Sequence, residues 1–140
     1  LGNFIYISQV LALILAETYD REKRNASIEQ NKHVTNVIRY MQSHLNENLT
    51  LEQLVEDFDL SKSYLNAIFK KHTQHAPMDF YISLKMREAC KLLKVTDFYI
   101  YEVAQRLGYK DQYYFSRIFK KVVGISPKEY KYGDYYHYKE

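Results

Sequence analysis

Hydrophobic positions along this chain recur every three or four residues and nowhere sustain a two-residue alternation, so the pattern predicts an all-α fold. Val34, Val37, Ile38, Met41 and Leu45 mark a helix reaching about Asn46. Thr50 with Gln53 forms a capping-box signature and opens a short helix carrying Leu51, Leu54, Val55 and Phe58. A tight turn at Asp59 and Leu60 leads to a helix capped by Ser61, with Tyr64, Leu65, Ile68 and Phe69 on its apolar face. Pro77 sits where a first-turn proline belongs, ahead of Phe80, Leu84, Ala89, Leu92 and Leu93. Thr96 and Asp97 offer the next cap, for a short helix of Ile100, Val103, Ala104 and Leu107 that ends at Gly108. Asp111 introduces a helix with Tyr114, Phe115, Ile118 and Phe119 on one side. Ser126 and Pro127 open a last helix, expected to end near Tyr130.

The N-terminal run FIYISQVLALILA, Phe4 to Ala16, has only Ser8 and Gln9 as clearly polar residues. It is shorter than the roughly 20 residues a membrane-crossing helix needs, so it reads as a buried or partner-packed helix with no membrane role. The chain begins at Leu1, as if inside a helix already under way. Residues 1–24 are therefore expected to be the last helix of a preceding domain. The charged stretch from Asp20 to Asn31 is expected to end that helix, with residues 25–32 as a linker and Ser27 with Gln30 capping the next one.

The chain also repeats itself. LNAIFKK at 65–71 and FSRIFKK at 115–121 share an ending, and at a shift of 49 Leu51, Leu54, Val55 and Phe58 match Ile100, Val103, Ala104 and Leu107. After one inserted residue in the second turn, Ser61 to Lys71 match Asp111 to Lys121. Each copy, about 50–72 and about 99–123, is a short helix, a tight turn and a longer helix. That is the helix-turn-helix plan, in which the second helix presents its exposed face to a DNA major groove. A linker helix over about 77–93 joins them, about 25 Å long at 1.5 Å per residue.

Composition permits this reading without requiring it. The 140 residues are 46% hydrophobic, include 15 Tyr and 7 Phe, and carry a net charge of +3. Charge placement is more telling: the segment 61–72 contains Lys62, Lys70 and Lys71 and no acid, and 112–123 contains Arg117, Lys120 and Lys121 and no acid. Glu52, Glu56 and Asp57 lie instead on the first helix of the first unit. An acid-free second helix in both copies suits a polyanion.

The segment EVAQRLGYKDQYYFSRIFKKVVGISPKEYK, residues 102–131, closely resembles the signature of the AraC/XylS family of bacterial transcription regulators. Three patterns at fixed spacing carry the likeness: Ala-x-x-x-Gly-Tyr, Tyr-Phe-Ser-Arg-x-Phe-Lys and Gly-x-Ser-Pro-x-x-Tyr. The likeness extends over about residues 33–131. A departure lies at QHAP, 74–77, where the family commonly has Gly-x-Ser-Pro, and a looser turn is expected there. The resemblance implies that Ser63, Asn66 and Ala67 face the groove on the first reading helix, and Gln112, Tyr113, Ser116 and Arg117 on the second. Arg117 can pair with guanine O6 and N7, and Asn66 or Gln112 with adenine, whereas Tyr113 suits a thymine methyl or a phosphate. Lys62, Lys70, Lys71, Lys120 and Lys121 suit phosphates, which hold register without reading sequence. The bland alternative for Arg117 is a salt bridge to Asp111. The resemblance further implies double-stranded DNA as partner, RNA polymerase as a second one, and an effector, often a sugar, bound by a domain outside this chain. The apolar N-terminal helix, with more apolar surface than one small domain can cover, is expected to pack on a second copy, as a homodimer, or on that domain.

Other features change little. The single cysteine, Cys90, allows no intrachain disulfide, suits a reducing cytoplasm and reads as a small core residue. His72 and His75 lack a metal-binding pattern, so no metal or cofactor is expected. No nucleophile, base and orienting group stand together, and no phosphate-cradling glycine loop exists, which disfavours an enzyme. A helical protein-interaction module without DNA binding is the rival reading. The Tyr-rich tail, 132–140, receives no role.

Overall fold

The computed structural model describes the backbone of residues 2–136 and the side chains of residues 9–133. Seven helices and no strand occur among the described residues: α1 (Gly2–Ser43), α2 (Leu51–Asp57), α3 (Lys62–Thr73), α4 (Pro77–Val95), α5 (Ile100–Arg106), α6 (Gln112–Val123) and α7 (Pro127–Tyr136). None is long and apolar enough to cross a membrane. The helix-turn-helix pairs are α2 with α3 and α5 with α6, joined by α4.

Local chemistry starts and stops these helices. The Thr50 side chain accepts from the Gln53 N–H at 3.2 Å, and the Gln53 side chain accepts from the Thr50 N–H at 3.0 Å, which satisfies two orphan donors of α2. Ser61 caps α3 by accepting from the Tyr64 N–H, and Asp111 caps α6 by accepting from the Tyr113 N–H at 2.8 Å. The cap expected from Thr96 and Asp97 is supplied differently. Glu102 accepts from the Tyr99 N–H at 2.7 Å to start α5, while Thr96 bonds back to the Leu92 carbonyl and closes α4.

Two cores form, one per unit. Val34, Val37, Met41, Leu49, Leu54, Leu65, Ile68 and Phe69 pack against Tyr81 and Leu84 of α4. Val103, Ala104, Leu107, Tyr109, Phe115 and Phe119 pack against Met86, Ala89 and Leu93 of the same helix. The first half of α4 thus belongs to one unit and the second half to the other. Phe69 and Phe119 are fully buried, and truncating either to Ala would cost about 3–5 kcal/mol.

Five further expectations are corrected. Residues 20–31 do not break the chain: α1 runs unbroken for 42 residues, about 63 Å at 1.5 Å per residue, so neither the 25–32 linker nor a cap at Ser27 forms. The stretch DREKRNASIEQN has no Gly or Pro, and its Arg, Glu, Lys, Ala and Gln are good helix formers. Glu29 and His33 lie 3.8 Å apart one turn on. Helix α1 stops at Ser43 rather than Asn46, and α7 runs past Tyr130 to Tyr136. The turn at Gln74 is not looser than its counterpart. The Gln74 N–H donates to the Lys70 carbonyl at 3.1 Å, as the Gly124 N–H does to Lys120 at 2.9 Å, and both residues are left-handed, with φ of 67° and 101°. Finally, Tyr114 does not point into the core: it is 50% exposed.

Gly108 answers a stricter demand. Its φ is +81°, and a Cβ there would lie 2.9 Å from the Asn46 carbonyl oxygen and 3.1 Å from that of Glu47. Any side chain would drive the α5–α6 turn away from the α1–α2 loop.

Candidate nucleic-acid interface

Helices α3 and α6 are both twelve residues long, and each buries one stripe. In α6 that stripe is Phe115 and Phe119, so at 3.6 residues per turn the opposite side presents Arg117, with Tyr113 and Lys120 on one flank and Tyr114 and Lys121 on the other. Tyr113 is 81% exposed. Gln112 and Ser116 lie at the margin beside the core and are half-buried. In α3 the stripe is Leu65, Ile68 and Phe69, leaving Ser63, Ala67 and Lys70 central and Asn66, Lys62 and Lys71 at the sides, all exposed. The two faces correspond position by position: Ser63 with Tyr113, Ala67 with Arg117, Lys70 with Lys120.

Several of these side chains have partners within the chain. Lys62 donates to Glu52 Oε1 at 2.7 Å, and that hydrogen bond holds the Glu52 carboxyl below the usual range. Lys71 donates to Gln30 Oε1 at 3.0 Å, which ties the end of α3 to α1. The guanidinium of Arg117 lies 5.8 Å from the Tyr114 ring centre, while Asp111 is occupied with its capping bond. Arg117 thus stands beside an aromatic ring with its donors open to solvent, and no ion pair to Asp111 occurs among the described residues.

Two candidates escaped the sequence pattern. The apolar pattern puts Tyr114 on the core side of α6, yet its ring borders a cleft of about 490 Å³ between α4 and α6, also lined by Tyr81, Lys110 and Arg117. Lys110 is exposed and is the residue inserted in the second turn, so the insertion itself was the available signal. The cleft opens beside Arg117, between the two units.

Comparison with known proteins bears on this arrangement. Residues 54–132 match the helix-turn-helix domain family. The MmsAB operon regulatory protein of Pseudomonas aeruginosa is 41% identical over 92 residues, which are 66% of this chain and 30% of that protein. Among solved structures, the C-terminal domain of AraT, a response regulator from Geobacillus stearothermophilus, is 35% identical with a TM-score of 0.68, over 71% of this chain and 83% of that one. The DNA-binding domain of AdpA, solved in complex with a target DNA, is 26% identical with a TM-score of 0.67, over 75% of this chain and 94% of that one. The chain spans less than half the length of the curated relatives it matches. Two capped helix-turn-helix units on one linker helix, the match over residues 54–132 and the likeness to these domains together place the chain in the AraC/XylS family of transcription regulators, as its C-terminal DNA-binding domain.

Proposed function

We propose that this chain reads a specific DNA sequence by laying α3 and α6 in two adjacent major-groove segments on one face of the duplex. The observation that carries the reading is the correspondence of two solvent-facing, acid-free helix faces, each with basic residues at its C-terminal end, at Lys70 and Lys71 and at Lys120 and Lys121. Arg117 is the principal base reader, with a guanine as its fit, and Asn66, Gln112, Tyr113, Ser63, Ala67 and Ser116 supply weaker contacts. Lys62, Lys70, Lys71, Lys120 and Lys121 hold phosphates, and Lys62 and Lys71 exchange their bonds to Glu52 and Gln30 for that purpose. The likeness to the DNA-bound AdpA domain supports this reading.

The exposed apolar residues of α1, including Leu11, Ile14 and Leu15, suit pairing with a second copy or packing on a preceding domain. Control by a small molecule through such a domain, contact with RNA polymerase and a cytoplasmic location complete the proposal. The test is selection of bound sequences from random duplexes, followed by footprinting. A chain that binds all duplexes alike, with no selected site, would sink it.

A further inference from the structure

The two cores meet along α4 without merging, and Lys85 stands at their boundary, between Leu84 of the first and Met86 of the second. At 2% exposure it is the one buried charged side chain among the described residues, and no ion pair reaches it there. Its ammonium donates instead to main-chain carbonyls: that of Glu47 in the α1–α2 loop and, at 2.7 Å, that of Leu107 at the end of α5. The Tyr81 and Tyr109 rings lie 4.8 and 5.1 Å away, one from each unit. A side chain of the linker thus ties the loop that opens the first unit to the turn that precedes the second reading helix.

Two more contacts close the same seam. Asn48 Nδ2 donates to the Gly108 carbonyl at 2.9 Å, and Gly108 leaves no room for a Cβ against Asn46. A buried ammonium without a counter-ion is a costly way to fill a core, since apolar side chains of similar volume would do so without the desolvation. Its use lies in directed bonds. Apolar packing on α4 resists separation but leaves each unit able to roll on its own side of the helix, whereas carbonyls gripped from both units fix the angle between them.

We infer that Lys85 is a positioning residue for DNA recognition, clamping the two units so that α3 and α6 accept one spacing between their groove segments. The inference rests on the proposed two-segment reading. Moving one segment by a base pair shifts it about 3.4 Å along the duplex and rotates it about 34°, more than a clamped pair can follow.

The experiment takes a duplex selected by the wild-type chain and adds or removes one base pair between its two protected segments. Wild type should lose roughly tenfold or more in affinity on either change, comparable to a mismatched base pair. Lys85→Met should bind the original site more weakly yet lose less than about threefold on respacing, while Lys85→Arg, which keeps the donors, should follow wild type. Should Lys85→Met not fold, Asn48→Ala removes an exposed bond of the same seam and should relax the spacing penalty in the same direction. If the folded variants weaken every duplex by one common factor and keep the wild-type spacing penalty, the clamp is overturned while the DNA reading stands. A wild-type chain that selects no sequence overturns both.

Discussion

Arg117 and Ala67 occupy the same place on two equivalent helices and can do very different things there. Arg117→Ala should cost about 1–3 kcal/mol on the preferred site and relax base choice at that position, because two directed bonds to one base are lost. Lys120→Ala or Lys70→Ala should weaken binding to all sequences alike and lower the salt slope by about one unit, measurable by titration at several salt concentrations. Equal loss on specific and random DNA from Arg117→Ala would remove it as a base reader. Lys85 makes a prediction in pH. Burial pulls its ammonium from 10.5 down to about 8, so between those values the unfolded chain binds more protons, and stability should rise with pH. Burial also pushes Tyr81 and Tyr109 up to about 12, so above pH 10 the folded chain holds protons the unfolded one loses, and stability should fall again. Denaturant titrations from pH 8 to 10 should show wild type gaining on the order of 2 kcal/mol relative to Lys85→Met; a flat difference would mean the lysine titrates normally. The sequence made the exposed place of Arg117 on α6 legible, because an arginine inside a recurring motif stands out. It could not reveal Lys85, since a lysine within a helix ordinarily faces water, and only the fold brings the Glu47 and Leu107 carbonyls to it.

At the scale of the elements, periodicity located α2 to α6 well because each buries one stripe, and Thr50, Ser61, Pro77 and Asp111 marked the starts of four of them; α5 starts instead at Tyr99 through Glu102. Charge composition misled at α1. A run of charged residues resembles a loop, yet without Gly or Pro nothing halts a helix that is already nucleated. The turn after α3 differs from expectation for a related reason: the absence of glycine suggests a different turn, whereas the chain keeps the turn and accepts the strain. Gln74→Gly should therefore stabilise the fold by about 1 kcal/mol, read as a higher unfolding midpoint, because φ of 67° carries no Cβ penalty in glycine. A lower midpoint would show that the Gln74 side chain contributes more than its backbone costs. Continuity of α1 also has a consequence for assembly. Val10, Leu11, Leu13, Ile14 and Leu15 are exposed on a helix that continues into the first core through Val34, Val37 and Met41. Polar substitutions at Leu11 and Leu15 should convert a self-associating chain into a monomer by sedimentation; a chain already monomeric at high concentration would exclude pairing through this helix.

At the scale of the whole molecule, each unit has its own core, and both cores draw on one 19-residue helix, about 28 Å long. The repeat made this bipartite plan legible from the sequence; the seam between the units was not, because its bonds join Leu107 and Gly108 to Glu47, Asn48 and Lys85, which lie far away in the chain and outside their motif. Two reading helices held on one linker should protect two adjacent groove segments, centred roughly one helical turn or about 34 Å apart on a straight duplex. The two segments need not be protected equally. The second face offers Arg117, Tyr113 and Lys120, whereas the first offers Ala67, Ser63 and Lys70 in the same places, so on the proposed reading the second should carry more of the base-specific free energy and the first mainly phosphate contacts. Replacing Arg117 and Tyr113 with Ala should then abolish the sequence preference and both protections together, whereas Ser63→Ala with Asn66→Ala should leave the second segment protected and blur only the first. Hydroxyl-radical footprinting of the two double variants distinguishes these outcomes. If the first pair of changes left the α3 segment protected at full strength, α3 would be the principal reader, and the ranking of the two units would have to be reversed.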